Sequence, residues 1–193
     1  MIRDSRIANQ NKLVYLLLLK INKMKKHSGM RPQDVVILLK ITAKGNNPWL
    51  MKDLSSELEI SASEVSESLN RSMLAGLISA NKQTLMKSAL LDFLGHGLKY
   101  VYPQRPGAMV RGMVTAHSAE PLNKIIQSQE AYVWPFAQGK VRGQAIEPLH
   151  PSVPKACLKD NVLHELLALT DALRVGKSRE QKLAMAELEK RVC

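Results

Sequence analysis

The sequence is poor in aromatic residues and in cysteine, and it has no hydrophobic run long enough for a membrane span. Aromatic residues make up 4% and hydrophobic residues 45% of its 193 residues, a balance that favours a leucine-rich helical core over a large sheet. Cys157 and Cys193 are too few for a disulfide framework. The apolar run from Leu13 to Leu19 is far too short to cross a bilayer, and no export signal is visible. We therefore expect a cytoplasmic protein with no membrane partner.

Recognisable catalytic and metal-binding patterns are also missing. The histidines are scattered without metal-ligand spacing, at His27, His96, His117, His150 and His164. There is no HExxH, no CxxC, no phosphate-cradling Gly-Lys-Thr and no Gly-x-Ser-x-Gly element. Cys157 and His164 are seven positions apart, but no third group is placed to orient them. We therefore predict that the protein is not an enzyme and has neither a cofactor nor a metal site.

Acidic residues are scarce at the beginning of the chain. Residues 1–50 contain 10 Lys/Arg against 2 Asp/Glu, whereas residues 51–100 contain 5 against 6, within a net charge of +11. A strongly basic chain favours an anionic partner. Because phosphate contacts supply most non-specific affinity for DNA, the near-neutral segment 51–100 weakens a simple electrostatic argument. The alternative is a soluble protein that is basic without binding nucleic acid.

Residues 1–29 form a basic N-terminal segment with two competing interpretations. Apolar residues from Leu13 to Ile21 precede a lysine-rich stretch, as expected for a helix with cations near its C-terminus. The segment is either a dimerisation helix or an extension ahead of a native start at Met24.

Two short amphipathic helices separated by a tight turn are predicted between Trp49 and Ser79. Their apolar residues recur every four positions, as Leu50, Leu54 and Leu58, then as Val65, Leu69 and Met73. Glu59-Ile60-Ser61 is too short for anything but a turn, and Ser61 with Glu64 has the capping-box pattern.

Further elements are predicted on both sides of this pair. Arg31 to Lys44 reads as a buried helix with proline in its first turn. After the stop at Ala75-Gly76, Leu77-Ile78 begins an extended segment, and residues 79–87 form a short wing. Another helix follows over residues 84–97, with Gly95 and Gly97 as stops.

The run LSSELEISASEVSESLNRSMLAGLI resembles the central segment of MarR-type winged-helix regulators. In that family a leucine-bearing helix, a turn, a Ser-x-Ser-x-Val-Ser recognition helix and a closing Gly-Leu-Ile follow in this order. The resemblance covers roughly residues 31–80. It implies a winged helix-turn-helix domain over residues 30–100 that binds double-stranded DNA as a homodimer. Winged helices also bind RNA or serve in protein contacts, so fold alone does not assign the role.

With Val65, Leu69 and Met73 facing inward, the opposite side of the second helix carries the candidate DNA-binding residues. Together with the helix start and the wing, these are Ser61, Ser63, Glu64, Glu67, Asn70, Arg71 and Lys82. Arg71 suits a phosphate or guanine, Asn70 suits adenine, and the serines suit a phosphate at the helix N-terminus. The two glutamates are costly near phosphates unless they accept from cytosine or orient an arginine. The alternative is that these side chains merely face solvent.

An internal near-repeat marks residues 101–147. VYPQRPGAMVRG (Val101 to Gly112) and VWPFAQGKVRG (Val133 to Gly143) share an aromatic-proline start and a Val-Arg-Gly end. Each unit predicts a strand, a glycine-containing turn and a strand, hence a two-hairpin β module. The matching residues are Tyr102 and Trp134, and Arg111 and Arg142. They form either a surface for an anionic ligand, nucleic acid or an acidic partner, or core aromatics with arginines at strand ends.

The chain closes with residues 148–193, predicted as a proline-rich linker and a pair of amphipathic helices that fold back or pair between subunits. The predicted fold class is thus α+β, mostly helical. The predicted function is a dimeric, sequence-specific DNA-binding transcriptional regulator, a repressor, that reads the major groove with residues 61–74. The alternative is a protein-interaction module, such as an antitoxin or adaptor for a neighbouring protein, which also represses its own operon.

Overall fold

A computed structural model describes residues 29–193, so the predicted N-terminal helix lies outside the described residues. The chain is α+β and mostly helical. The longer helices are α1 (Pro32–Lys44), α2 (Met51–Leu58), α3 (Ala62–Leu74), α7 (Asn161–Val175) and α8 (Ser178–Val192). The shorter ones are α4 (Lys87–Asp92), α5 (Leu98–Val101) and α6 (Val153–Cys157), and the strands are β1 (Met109–Val114), β2 (Tyr132–Pro135) and β3 (Val141–Ala145). Within the described range, no helix combines the length and the apolar character that crossing a membrane requires.

Helices α2 and α3 pack against α1. Apolar side chains surround most of α1, and residues 35–39 are fully buried. The Arg31 backbone N–H donates to the Asp34 carboxylate at 2.8 Å, which satisfies one of the free N–H groups at the start of α1. The left-handed backbone of Glu59 ends α2, and the buried Ile60 fills the turn. Ser61 Oγ then accepts from the Glu64 backbone N–H at 3.2 Å, which confirms Ser61 as the cap of α3.

Residues 77–86 form a short antiparallel loop after α3. Ile78 pairs with Leu85, and backbone hydrogen bonds close the loop from Ser79 N–H to Thr84 O at 2.8 Å and from Met86 N–H to Leu77 O at 3.0 Å. At its tip, residues 79–84 include Lys82 in the left-handed region. We call these residues the 79–84 loop.

The predicted stop at Gly95 and Gly97 is wrong. The helical path runs from α4 through a π-helical turn, Phe93–Gly97, into α5. A Cβ on Gly97 would lie 2.9 Å from Phe93 Cδ2, and one on Gly95 would lie 3.1 Å from Met185 Sδ. The two glycines therefore make room for neighbouring side chains, and they do not end the helix.

The predicted pair of hairpins is also wrong. β1 pairs antiparallel with both β2 and β3, while β2 and β3 pair in parallel, and the three strands close into a small barrel. The first near-repeat supplies only β1, because residues 102–108 form no strand. The second supplies β2 and β3, which meet β1 on its two edges instead of pairing as a hairpin.

Three glycines allow the barrel to close. A Cβ on Gly112 would lie 2.0 Å from Trp134 O, one on Gly139 would lie 2.2 Å from the Gly112 carbonyl carbon, and one on Gly143 would lie 2.4 Å from Ala131 O. No other residue type can bring backbones so close. The Val-Arg-Gly ends of the near-repeat therefore place glycine where the strands touch.

Helix α7 lies at the centre of the molecule. It packs against α1, α5 and α8 and against the turn that follows β1, with Leu163, Leu166 and Leu169 fully buried. Both predicted C-terminal helices are present, and Pro154 stands in the first turn of α6. One cluster of buried hydrophobic residues takes in side chains from residues 30–100, 101–147 and 148–193.

Candidate nucleic-acid interface

The N-terminal turn of α3 presents an exposed row of polar side chains. Ser61, Ser63, Glu64 and Glu67 are all exposed. Ser61 Oγ donates to Glu64 Oε2 at 3.1 Å and lies 3.1 Å from Ser63 Oγ. The side chain of Glu64 thus lies over the start of the helix, where its negative charge interacts favourably with the positive end of the helix dipole. A phosphate binding there would have to displace this carboxylate.

Arg71 does not lie on the exposed face, which corrects its predicted position. Its Nε and Nη2 donate to the two carboxylate oxygens of Asp34 at 2.8 Å and 2.6 Å. Asp34 is fully buried and Arg71 is 6% exposed. The hydrogen bonds to Asp34 raise the pKa of Arg71 above its ordinary value. This bidentate ion pair fastens α3 to α1 and occupies Nε and Nη2 of Arg71.

The error in placing Arg71 comes from two serines. The buried face of α3 includes Val65, Ser68, Leu69 and Ser72, whereas Met73 lies at its edge. Serine counts as polar in a hydrophobic pattern, so the pattern predicted Val65, Leu69 and Met73 as the buried stripe and left out Ser68 and Ser72. Small side chains at these two positions allow close packing on α1, and this rotation carries Arg71 inward.

Asn70 and Lys82, expected to make separate contacts, bind each other. Lys82 Nζ donates to Asn70 Oδ1 at 2.6 Å, and both side chains are half-buried. The bond ties the 79–84 loop to the exposed edge of α3. The bond uses only the oxygen of the Asn70 amide. The N–H donors of this amide remain available for another hydrogen bond.

A cleft of about 170 Å³ runs beside the exposed face of α3, between it and the start of α1. Its lining includes Arg31 and Gln33 as well as Ser63, Glu64 and Glu67. Gln33 Nε2 is buried with no hydrogen-bond partner among the described residues, and Arg31 is exposed. Neither residue was among the predicted site residues. The indication that the sequence offered for this site was the arginine next to the proline that begins α1.

The two lysines of α1, Lys40 and Lys44, form ion pairs within the molecule. Lys40 Nζ binds Asp160 at 2.6 Å and Glu57 at 2.5 Å, and Lys44 Nζ binds Glu57 at 2.6 Å. These bonds connect α1, α2 and the start of α7. They reduce the positive charge that this part of the chain offers to an anionic partner.

Trp134 does not lie on a ligand-binding surface, which corrects the first interpretation of the near-repeat. It is 1% exposed, and its Nε1 donates to Asp171 Oδ2 at 2.6 Å. Thr115 Oγ1 donates to the same oxygen at 2.9 Å, and Arg174 Nη1 donates to Oδ1 at 2.7 Å. Burial raises the pKa of Asp171, against the opposing effect of these donors. The network joins the barrel to α7.

Tyr102 also faces inward. Its side chain is half-buried, and its hydroxyl is buried without a hydrogen-bond partner among the described residues. Burial raises the pKa of Tyr102 to about 12. The two aromatic residues of the near-repeat are therefore packing residues.

The two arginines of the near-repeat are exposed. The Val-Arg-Gly triplets pair antiparallel with each other in the register Val110↔Gly143, Arg111↔Arg142 and Gly112↔Val141. The near-repeat is thus a local two-fold arrangement with the arginines at its centre. Within residues 29–193, neither guanidinium has a hydrogen-bond or ion-pair partner. Arg111 is the third residue of β1, and Arg142 is the second residue of β3.

The described part of the chain contains no group of three or more His, Cys, Asp or Glu side chains that could hold a metal ion. Comparisons of the chain with protein-family models, curated proteins and solved structures found no match.

Proposed function

We propose that the protein is a DNA-binding transcriptional regulator, in which α1 to α3 and the 79–84 loop act as a winged helix and α3 enters the major groove. The observation that carries this proposal is the division of α3 into two faces. One face is locked onto α1. The other, from Ser61 to Glu67, is polar and exposed directly after a tight turn. Recognition helices read base edges with residues near their N-termini in this arrangement.

Rigid attachment of α3 supports the same proposal. The Asp34–Arg71 pair holds the last turn of the helix, and the Lys82–Asn70 bond holds the loop against its edge. A helix held on two sides binds a groove without first being ordered, which lowers the entropic cost of association.

The proposed contacts involve exposed and half-buried side chains around α3. Arg31 is exposed and Lys82 is half-buried beside α3, and both cations suit phosphate oxygens. Ser63 and Asn70 suit base edges, and Glu67 suits the N4 amino group of cytosine. Because helix-turn-helix proteins read two half-sites as dimers, we propose a homodimer on DNA, and light scattering of the free protein and its complex measures the stoichiometry.

Binding of the full chain to its own upstream DNA tests the proposal. Fluorescence anisotropy at two salt concentrations compares this duplex with a random one, and specific binding requires a preference of roughly a thousandfold or more. Glu67→Ala, an exposed change that leaves the ion pair intact, should lower that preference by about 5-fold to 150-fold if Glu67 reads a base. Glu189→Ala on α8, also exposed, is the matched control. Equal affinity for both duplexes would contradict the proposal.

A protein-interaction module is the second candidate. Tyr100 and Val101, neighbouring residues at the end of α5, are 74% and 52% exposed, so both could contact a protein partner. An antitoxin or adaptor would present such residues to a neighbouring protein. Weak, equal and strongly salt-dependent binding to both duplexes would favour this candidate.

A further inference from the structure

The barrel is a purely basic part of the chain. Residues 103–114 and 131–146, which include all three strands and the turn between β2 and β3, contain no Asp or Glu. They contain four cations, all exposed: Arg105, Arg111, Lys140 and Arg142. The barrel surface therefore carries positive charge that no carboxylate of its own strands neutralises.

Arg111 and Arg142 are held side by side. They are directly opposed across β1 and β3, so both side chains leave the same face of the sheet. The Arg111 carbonyl accepts from Phe136 N–H at 3.2 Å on the other edge of β1. The Arg111–Arg142 pair is therefore a non-hydrogen-bonded one, the type in which opposed side chains are closest.

Two like charges directly opposed across a ladder destabilise a sheet. Here neither arginine is relieved by a partner in the described part of the chain. The arrangement becomes favourable when one anion lies between the two guanidinium groups. We propose that Arg111 and Arg142 form a clamp for a phosphate group of the DNA backbone, a second contact beside α3. The choice of DNA as the source of the phosphate rests on the proposed function.

A backbone phosphodiester suits the pair. Each guanidinium is a planar fork of N–H donors that matches the oxygens of an anion. The two non-bridging oxygens of a phosphodiester share one negative charge, and each can accept from a different guanidinium. A backbone phosphate can therefore accept from both arginines. Lys140, which directly precedes β3, adds a further exposed cation to the barrel.

The test is the salt dependence of DNA binding by the full chain. With Arg111→Ala plus Arg142→Ala, the slope of log K against log salt should become shallower by about 0.9, the value for one phosphate. This change in slope corresponds to DNA binding about eightfold weaker than that of the parent at 0.1 M salt. The loss should be the same for the upstream duplex and for a random one, because a phosphate contact carries no sequence information.

Two further double variants serve as controls. Arg179→Ala plus Lys182→Ala removes the same charge from exposed positions on α8 and should leave slope and affinity unchanged. Arg111→Lys plus Arg142→Lys keeps the charge without the forks and should give an intermediate affinity. The melting temperature of the alanine double variant should not fall, since both side chains are exposed and their mutual repulsion is removed.

The outcomes separate this proposal from the proposed function. An unchanged slope with the alanine double variant overturns the clamp, even if the same variant loses an acidic protein partner. An equal loss with the α8 control also overturns it, because only overall charge would then matter. A shallower slope without any preference for the upstream duplex supports the clamp and contradicts the regulator. A thousandfold preference for the upstream duplex with an unchanged slope supports the regulator and contradicts the clamp.

Discussion

The α3 surface and the barrel differ in charge. Helix α3 is the recognition helix of the proposed function, but its exposed side carries Glu64 and Glu67, and its one arginine is buried against Asp34. The exposed cations of the barrel have no acidic neighbour in the strands. In the two proposals, base reading and phosphate binding therefore belong to different surfaces of the chain.

The largest expected effect comes from separating α3 from α1. Arg71→Ala leaves the Asp34 carboxylate buried without its partner, so the free energy of unfolding should fall by about 3–5 kcal/mol. Urea unfolding followed by circular dichroism measures the change. The exposed Glu67→Ala, on the same helix, should stay within about 0.5 kcal/mol of the parent. A stable Arg71→Ala variant that lost DNA binding would restore Arg71 as a contact residue and remove the contrast between the two surfaces.

The next effect in size comes from separating the barrel from α7. Asp171→Asn keeps an acceptor for Trp134 but removes the charge that binds Arg174. We expect a loss of about 1.5–3 kcal/mol, the usual range for hydrogen bonds that involve a charged group. Trp134 fluorescence in a Trp49→Phe background reports on the junction during unfolding. If the barrel transition coincides with that of the helices in the parent and separates from it in Asp171→Asn, the carboxylate is what couples them.

A third change tests how the barrel closes. Gly112→Ala places a Cβ against the Trp134 carbonyl oxygen and should cost about 1–3 kcal/mol through overpacking. Gly107→Ala is the matched control, because its Cβ would meet its nearest neighbour at an ordinary 3.5 Å. The clamp should weaken with Gly112→Ala, since the same strand positions Arg111. Equal stability of the two variants would show that close strand contact at Gly112 is not needed.

Sequence reasoning succeeded where apolar spacing and local capping determine the structure. It predicted the helices from Arg31 to Leu74, the Ser61 cap and the C-terminal pair, because each depends on residues within a few positions of one another. The α+β class, mostly helical, is confirmed at the same level.

The predictions from the sequence failed where small residues decide the packing. Ser68 and Ser72 turn α3 so that Arg71 lies inside, and Gly95 and Gly97 continue a helix because neighbouring side chains occupy the space beside them. In a hydrophobic pattern such residues carry little information. Their effect depends on how closely another element approaches, which is a property of the tertiary structure.

The candidate site shows the same limit. The near-repeat was detected from sequence, but its units pair with each other instead of forming separate hairpins. Long-range pairing also decided which of the four matching residues are exposed: the arginines are outside and Trp134 is inside. Arg31 and Gln33 belong to the candidate interface because the start of α1 lies beside α3 in the folded chain.

The smallest effect concerns Tyr102, which follows α5. Its carbonyl accepts from Arg174 Nε of α7 at 3.1 Å, while burial, and next the charge of Asp34, raise the pKa of its hydroxyl to about 12. The folded state therefore holds this proton more tightly than the unfolded chain, whose tyrosine pKa is about 10. The contribution to stability is present below pH 10 and is lost as the pH rises towards 12.

Tyr102→Phe isolates that contribution. At neutral pH the variant loses only a buried hydroxyl that has no partner in the described structure, so its stability should match or exceed that of the parent, by no more than about 1 kcal/mol. Between pH 10 and 12 the parent should lose more free energy of unfolding than the variant. Tyr100→Phe, exposed on the same segment, should follow the parent. Parallel pH profiles for Tyr102→Phe and the parent would mean that Tyr102 ionises as freely as an exposed tyrosine, and that its hydroxyl is open to solvent.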